Sequence, residues 1–283
     1  MKKIIPFVFI IMVSCVTNHN KYLNSNNADA ILFFNKGFEC YENNDFESAL
    51  DMFNLSIKND PKFVRPYMVK SYIYFLMNDY EKAFLDINSA IEIAPKSDTL
   101  YSIRGLMYYE LEEYDYSLID FNKAISINKN IETYYIDRGH TFLHKNNFDM
   151  AINDFNHAIK INPQFSKAYS SRGYAFLLSE KYDFALNDLN LAIKLAPNFL
   201  TSIYNRGVAY LNLGSYKEAL NDFLYVLEMK YHILDDVYSN IGLIYFFEKN
   251  YEQAEYYLKL ALQENQNHEE AIEYLEYLNE TGK

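Results

Sequence analysis

The stretch RGHTFLHKNNFDMAINDFNHAIKINP, residues 138–163, opens on an Arg-Gly pair that recurs at Arg104-Gly105, Arg172-Gly173 and Arg206-Gly207. The spacing is 34 residues each time, in a chain with only eight glycines. A fixed period of that size marks a stack of helix pairs. Such stacks bury their core between neighbours and leave an extended surface free, a form suited to holding other proteins rather than to chemistry.

Aligned on this glycine, the chain yields seven units, with Gly37, Ser71, Gly105, Gly139, Gly173, Gly207 and Gly242 in register, the last offset by one. Three residues further on lie Cys40, Tyr74, Tyr108, Phe142, Phe176, Tyr210 and Tyr245, and nine further on come Phe46, Tyr80, Tyr114, Phe148, Tyr182, Tyr216 and Tyr251. Small residues follow at Ala49, Ala83, Ser117, Ala151, Ala185, Ala219 and Ala254, then at Ala90, Ala124, Ala158, Ala192 and Ala261. Four units close on Pro61, Pro95, Pro163 and Pro197. A glycine or alanine facing a bulky side chain lets two helix backbones approach closely, and proline ends the second helix. Polar segments such as Glu42 to Asp45, Asn78-Asp79 and Asn146-Asn147 supply the turn within each pair.

These columns together resemble the tetratricopeptide repeat family. The likeness runs from Ala28 to about Gln266, with departures at Ser71, Ser56, Val226, Lys129 and Tyr231. It implies an all-α fold, a right-handed α-solenoid of about seven helix hairpins over 28–266. Residues 267–283 then form a C-terminal capping helix and tail, with Ala271, Leu275 and Leu278 on one face.

The N-terminus reads differently. Lys2 and Lys3 precede an apolar run from Ile4 to Val13, too short for a stable membrane span but suited to a signal peptide over 1–14. Met12-Val13-Ser14-Cys15 resembles the bacterial lipobox, which implies that Cys15 is lipidated and becomes the new N-terminus. Residues 15–27 then act as a polar tether, and several acyl chains, palmitate among them, hold the protein on a membrane of the cell envelope. The one other cysteine, Cys40, falls on a core position and reads as a small buried hydrophobe, so no disulfide framework is expected.

Half of the residues are hydrophobic, which provides ample core. Net charge is −12, with 38 acidic side chains against 26 basic, which disfavours nucleic acid as a partner.

A charged pattern lies inside the repeat. Lys70, Arg104, Arg138, Arg172 and Arg206 precede the glycine column, and Asp86, Asp120, Asp154, Asp188 and Asp222 follow sixteen residues later. At Ile241 the cation is lost, and Tyr257 stands where the Asp would be. This argues for structural ion pairs within each unit, Arg138 with Asp154 among them, rather than between neighbours.

By the resemblance, first helices line a groove, and residues one, four and five past the glycine column point into it. That face is largely apolar: Phe38, Tyr41, Tyr72, Phe75, Tyr109, Tyr174, Leu177, Leu211 and Phe246 carry the partner-binding expectation. Leu76, Leu106, Leu178, Val208, Leu243 and Phe247 stand beside them. Lys167, Arg65, Asn205 and Asn240 are scattered, so no clamp for charged C-termini is expected. The groove favours an amphipathic helix or an extended hydrophobic segment.

One constellation offers metal ligands: Asp137, His140 and His144 recur at helical spacing, with Glu110 in the preceding unit. It is weighed against a polar patch. No phosphate loop, HExxH, GxSxG or paired-Cys motif occurs, so neither catalysis nor a cofactor is expected. The expected function is a lipid-anchored scaffold that recruits envelope proteins. The alternatives are a metal-dependent enzyme accessory built on the two histidines, and a cytoplasmic co-chaperone.

Overall fold

The computed structural model describes residues 25–229 and 231–282. The apolar leader 1–14, Cys15 and most of the tether lie outside the described residues. Among the described residues the fold is all-α, with no strand and fifteen helices in successive antiparallel pairs. Two compact units divide the chain at Thr141 and Phe142.

In the first unit, α1 (Ala28–Glu42) pairs with α2 (Phe46–Asn59), α3 (Val64–Leu76) with α4 (Tyr80–Ile93), and α5 (Asp98–Glu110) with α6 (Tyr114–Ile127). Helix α7 (Glu132–His144) begins in this unit and ends in the second. The second unit continues with α8 (Phe148–Ile161), the pair α9 (Ser166–Leu178) and α10 (Tyr182–Leu195), and the pair α11 (Leu200–Asn212) and α12 (Tyr216–Glu228). It closes with α13 (Leu234–Phe247), α14 (Tyr251–Glu264) and the unpaired α15 (Glu269–Thr281). Consecutive helices from α1 to α6 and from α8 to α15 pack on one another, and in the second unit α9, α11, α13 and α15 also touch in series, making a wall of first helices.

Local chemistry sets the helix ends. Side chains of Asp45, Asp79, Asn147 and Asn250 accept the backbone N–H three residues on, capping four of the second helices. Each hairpin turn holds one left-handed residue, with φ between 55° at Asn146 and 72° at Gly214. Asparagine and glycine tolerate that conformation best. Where hairpins join, Tyr67, Tyr101 and Tyr169 donate their hydroxyls to the carbonyls of Pro61, Pro95 and Pro163 at 3.2 to 3.3 Å. Tyr135 donates likewise to Lys129, so the joint survives loss of the proline there.

The glycine column is a contact surface. A Cβ at Gly207 would lie 2.9 Å from Phe223 Cε1, and one at Gly173 would lie 2.8 Å from Leu189 Cγ. Both facing side chains are fully buried. Ser71, which departs from glycine, faces Ile87 in the register that elsewhere holds Phe53, Phe121 or Phe223. The Ser71 hydroxyl donates to the Met68 carbonyl at 2.8 Å.

The core of the first unit gathers Phe34, Phe53, Phe63, Met68, Ile73 and Phe121, each at most 2% exposed. In the second, Phe223, Val226, Val237 and Ile241 form one cluster. Ala254, Leu258 and Ala261 of α14 meet Ala271, Leu275 and Leu278 of α15 in another, so the last helix seals the end of the second unit. Cys40 is half-buried rather than buried, because it packs at the edge of the first core and not inside it.

Candidate partner-binding face

The Arg-Asp pattern frames the face. Arg104 donates from Nε and Nη2 to the two oxygens of buried Asp120 at 2.7 and 2.8 Å. Arg172 does the same to Asp188 at 2.6 and 2.7 Å, and Arg206 to Asp222 at 2.8 and 2.7 Å. Two parallel bonds from a planar guanidinium hold both helices of a hairpin in register.

The third guanidinium nitrogen reaches back to the preceding hairpin. Arg104 donates to Asn88, Arg138 to Asn122, Arg172 to Asn156 and Arg206 to Asn190. The ion pairs of Arg104, Arg172 and Arg206 fall within a hairpin, as the spacing implies, and each of these arginines adds a bond to the preceding hairpin, which answers with a neutral amide. A neutral acceptor needs no second charge to be desolvated. Leu224 stands in the asparagine register opposite Ile241, so this column also ends where the cation ends. Arg138 and Asp154 belong to different units.

Lys70 is the weak member. It lies 3.5 Å from Asp86, and burial pushes the Asp86 carboxyl above the usual carboxylate range against the downward pull of Lys70. The folded chain thus holds that proton more tightly than the unfolded chain. The pair costs stability above the folded pKa, and the cost fades as pH falls toward the ordinary carboxylate range. Lys70→Arg supplies the missing fork, with Asn54 in the neighbouring register. It is expected to add about 1 kcal/mol at neutral pH and less under acid conditions. Thermal melts at two pH values check this, and an unchanged midpoint at neutral pH would count against the fork.

Burial sorts the expected binding residues. Tyr41, Tyr72, Phe75 and Leu177 are under 10% exposed. They belong to the wall beneath the face and are not free to touch a partner, because the adjoining helices cover them. Phe38, Tyr109, Leu211 and Phe246 are half-buried, and Tyr174 is exposed. In the first unit the rings run together, Phe38 at 5.8 Å from Tyr41 and Tyr41 at 6.5 Å from Tyr72. Ile31 and Leu32 on α1 are open to solvent.

In the second unit the wall of first helices exposes Tyr174 and Leu178 on α9, Phe247 on α13 and Tyr277 on α15. Phe246 packs against Tyr274 at 4.8 Å and Tyr277 at 5.5 Å, and Phe247 stacks on Tyr216 at 5.9 Å. Between α11 and α13 the Tyr204 hydroxyl accepts from Asn240 at 3.1 Å. Burial, with Asp236, Glu270 and Asp235 nearby, pushes its pKa well above the ordinary phenol value. The sequence reading placed Phe246 and Phe247 on the face but missed Tyr274 and Tyr277 of α15. The Tyr274 and Tyr277 pair in an otherwise acidic helix was the signal that could have found them.

Asp137 is buried, His140 half-buried and His144 exposed along α7, whose ends fall in different units. A converging donor set lies elsewhere: Asp235, Asp236 and His268 place one donor atom each within 4.8 Å of one another. Hydrogen bonds account for it. Asn265 donates to Asp235 at 3.0 Å, and His268 Nε2 pairs with Asp236 at 3.3 Å. His268 Nδ1 accepts the Ala271 N–H, which caps α15. With both ring nitrogens engaged, the group ties α13 to α15.

Large apolar side chains also stand open on second helices: Leu85 at 65%, Ile119 at 61% and Phe184 at 60%. Among the described residues no helix is long and apolar enough to cross a membrane.

Four stretches, 64–97, 132–165, 200–231 and 235–268, match the family model described as tetratricopeptide repeat. The chain belongs to the tetratricopeptide repeat family. Among solved structures it is similar to a tetratricopeptide repeat protein from Parabacteroides merdae, at 20% identity and TM-score 0.69 over 88% of this chain and 98% of that one. It is also similar to YrrB, described as a TPR protein with an unusual peptide-binding site, at 23% identity and TM-score 0.53 over 67% and 97%. A third is PilW, a type IV pilus biogenesis factor, at 17% identity and TM-score 0.64 over 72% and 96%. At such identities the likeness is one of fold. No protein of curated function matches the sequence.

Proposed function

We propose that this chain is an adaptor, held on a bacterial envelope membrane through a lipid on Cys15, which recruits a protein partner to the face of its first helices. Proteins of this repeat family mediate protein-protein interactions. The observation that carries the reading is the set of open apolar side chains on first helices of the second unit, Tyr174 and Leu178 on α9, Phe247 on α13 and Tyr277 on α15. Around Phe246 the rings of Phe247, Tyr274 and Tyr277 form one partly open apolar patch, and such a patch is a mark of an interaction site. The converging acid and imidazole groups are spent on hydrogen bonds that hold helices together, so a binding role accounts for more of the site than a catalytic one.

The test is a crosslinking pull-down from cells with the intact chain and with a Tyr174→Ala, Leu178→Ala, Phe247→Ala variant. All three positions are exposed, so the variant is expected to melt within a few degrees of the parent. Loss of specific envelope proteins from the variant supports the face, while an unchanged set moves binding to the open side chains of the second helices. Labelling with a clickable fatty acid tests the anchor: no label on the parent, or equal label on Cys15→Ala, sinks that part of the proposal.

A further inference from the structure

Sealing the end of a repeat stack needs one apolar edge, and Ala271, Leu275 and Leu278 supply it on α15. Tyr274 and Tyr277 go beyond that need. They stand around Phe246 and beside Phe247, leaving Phe247 43% and Tyr277 45% exposed. An aromatic surface is thus held open at the position where a seal alone would present polar groups.

Acid borders these rings. Helix α15 carries Glu269, Glu270, Glu273, Glu276 and Glu280 and no lysine or arginine. Tyr274, which packs 4.8 Å from Phe246, has its phenol pKa raised by burial and by the nearby charges of Glu270 and Glu273. Across residues 231–283 there are eleven carboxylates against three lysines, about two-thirds of the net −12 of the whole chain. One of those lysines, Lys259, already pairs with Glu255 at 2.5 Å.

We propose that this end of the second unit, where Phe246 and Phe247 of α13 meet Tyr274 and Tyr277 of α15, docks a cationic amphipathic segment of a partner protein. The inference rests on the adaptor reading and names the chemistry of its ligand. Apolar side chains of the segment cover the exposed rings, and lysines or arginines beside them meet Glu270 and Glu273. A cation is also attracted to the faces of the rings themselves. A neutral apolar segment would strip water from those carboxylates with nothing in return. A second copy of this chain, or an anionic lipid surface, would bring like charge against them.

The probes are two labelled synthetic amphipathic helices of fourteen residues, one of leucine and lysine, the other of leucine and glutamate. Fluorescence anisotropy reads their binding to the full chain. The lysine peptide is expected to bind and the glutamate peptide to fail. Glu270→Lys with Glu273→Lys is expected to weaken the lysine peptide about tenfold or more, as is Phe247→Ala with Tyr277→Ala. Asp51→Lys with Glu92→Lys changes the net charge equally on exposed positions of the first unit, and is expected to leave binding within about twofold. Glu270→Gln with Glu273→Gln, which keeps an acceptor for the Ser239 hydroxyl, gives an intermediate loss and guards against misfolding of the lysine variant.

Equal loss in both charge-reversed variants would reduce the effect to general attraction and overturn the proposal, as would equal binding of the two peptides or no binding of either. If the peptides fail while the Tyr174, Leu178, Phe247 variant still loses partners in cells, the cationic ligand is wrong and the adaptor reading stands. Specific peptide binding with an unchanged cellular partner set would uphold the cationic ligand and move the adaptor's recruitment in cells to the second helices instead.

Discussion

Asp188→Ala is expected to destabilise the second unit by about 3 kcal/mol. Asp188 is 6% exposed and receives two hydrogen bonds from Arg172, which also donates to Asn156 and lies over the Tyr169 ring at 5.8 Å. Removing the carboxylate leaves a guanidinium held between two hairpins without its counter-charge. About a fifth of the Arg172 side chain still reaches water, which places the loss at the lower end of the range for a broken buried pair.

The double change Arg172→Met with Asp188→Leu is expected to recover most of that loss, because a packed apolar pair has no charge to desolvate. Urea denaturation followed by circular dichroism measures both. Repeat stacks can unfold in stages, so the informative readout is the transition of the second unit rather than a single midpoint. An Asp188→Ala protein as stable as its parent would mean that Arg172 finds water or Asn156 sufficient.

The second large effect is steric. Gly207→Val is expected to cost about 3 kcal/mol, since its Cβ would meet Phe223 Cε1 at 2.9 Å and the fully buried ring has nowhere to go. Gly105→Ala offers the contrast. Its Cβ would lie 3.2 Å from the Phe121 ring, a contact that small shifts relieve, and alanine gains about 1 kcal/mol over glycine in a helix. Those terms nearly cancel, so Gly105→Ala is expected to be close to neutral. If the valine variant melts with the parent, the glycine column does not set the distance between the helices.

Much of this could be read beforehand from residue order. The 34-residue recurrence of glycine, aromatic, alanine and proline placed the hairpins, and α1 begins at Ala28 and α15 at Glu269, near the boundaries drawn from the pattern. The Arg-Asp spacing of sixteen joined two helices of one hairpin because that separation spans a tight turn. The asparagine two residues past each Asp lay in plain view but carried no charge to draw attention, and its role across hairpins was missed.

The candidate site was less legible. Phe38, Tyr41, Tyr72 and Phe75 look alike at the level of helical spacing, yet Tyr41, Tyr72 and Phe75 are covered and Phe38 is only half-covered. Burial depends on the volume of side chains on adjoining helices, which a period cannot supply. The acidic and aromatic character of α15 was present in its letters, but that Tyr274 and Tyr277 surround Phe246 follows only from how α13 and α15 meet.

Sequence by itself therefore determined the helix pairs, their turns, their close-packed columns and the acidic balance, because these follow from local backbone preferences and from chemistry repeated at a fixed interval. Tertiary structure alone decided which arginine nitrogen crosses to the next hairpin, which aromatic rings stay open, and that Asp235, Asp236 and His268 spend their polar atoms on one another and on their neighbours. Those outcomes depend on distances between helices, set by the summed volumes of every packed neighbour.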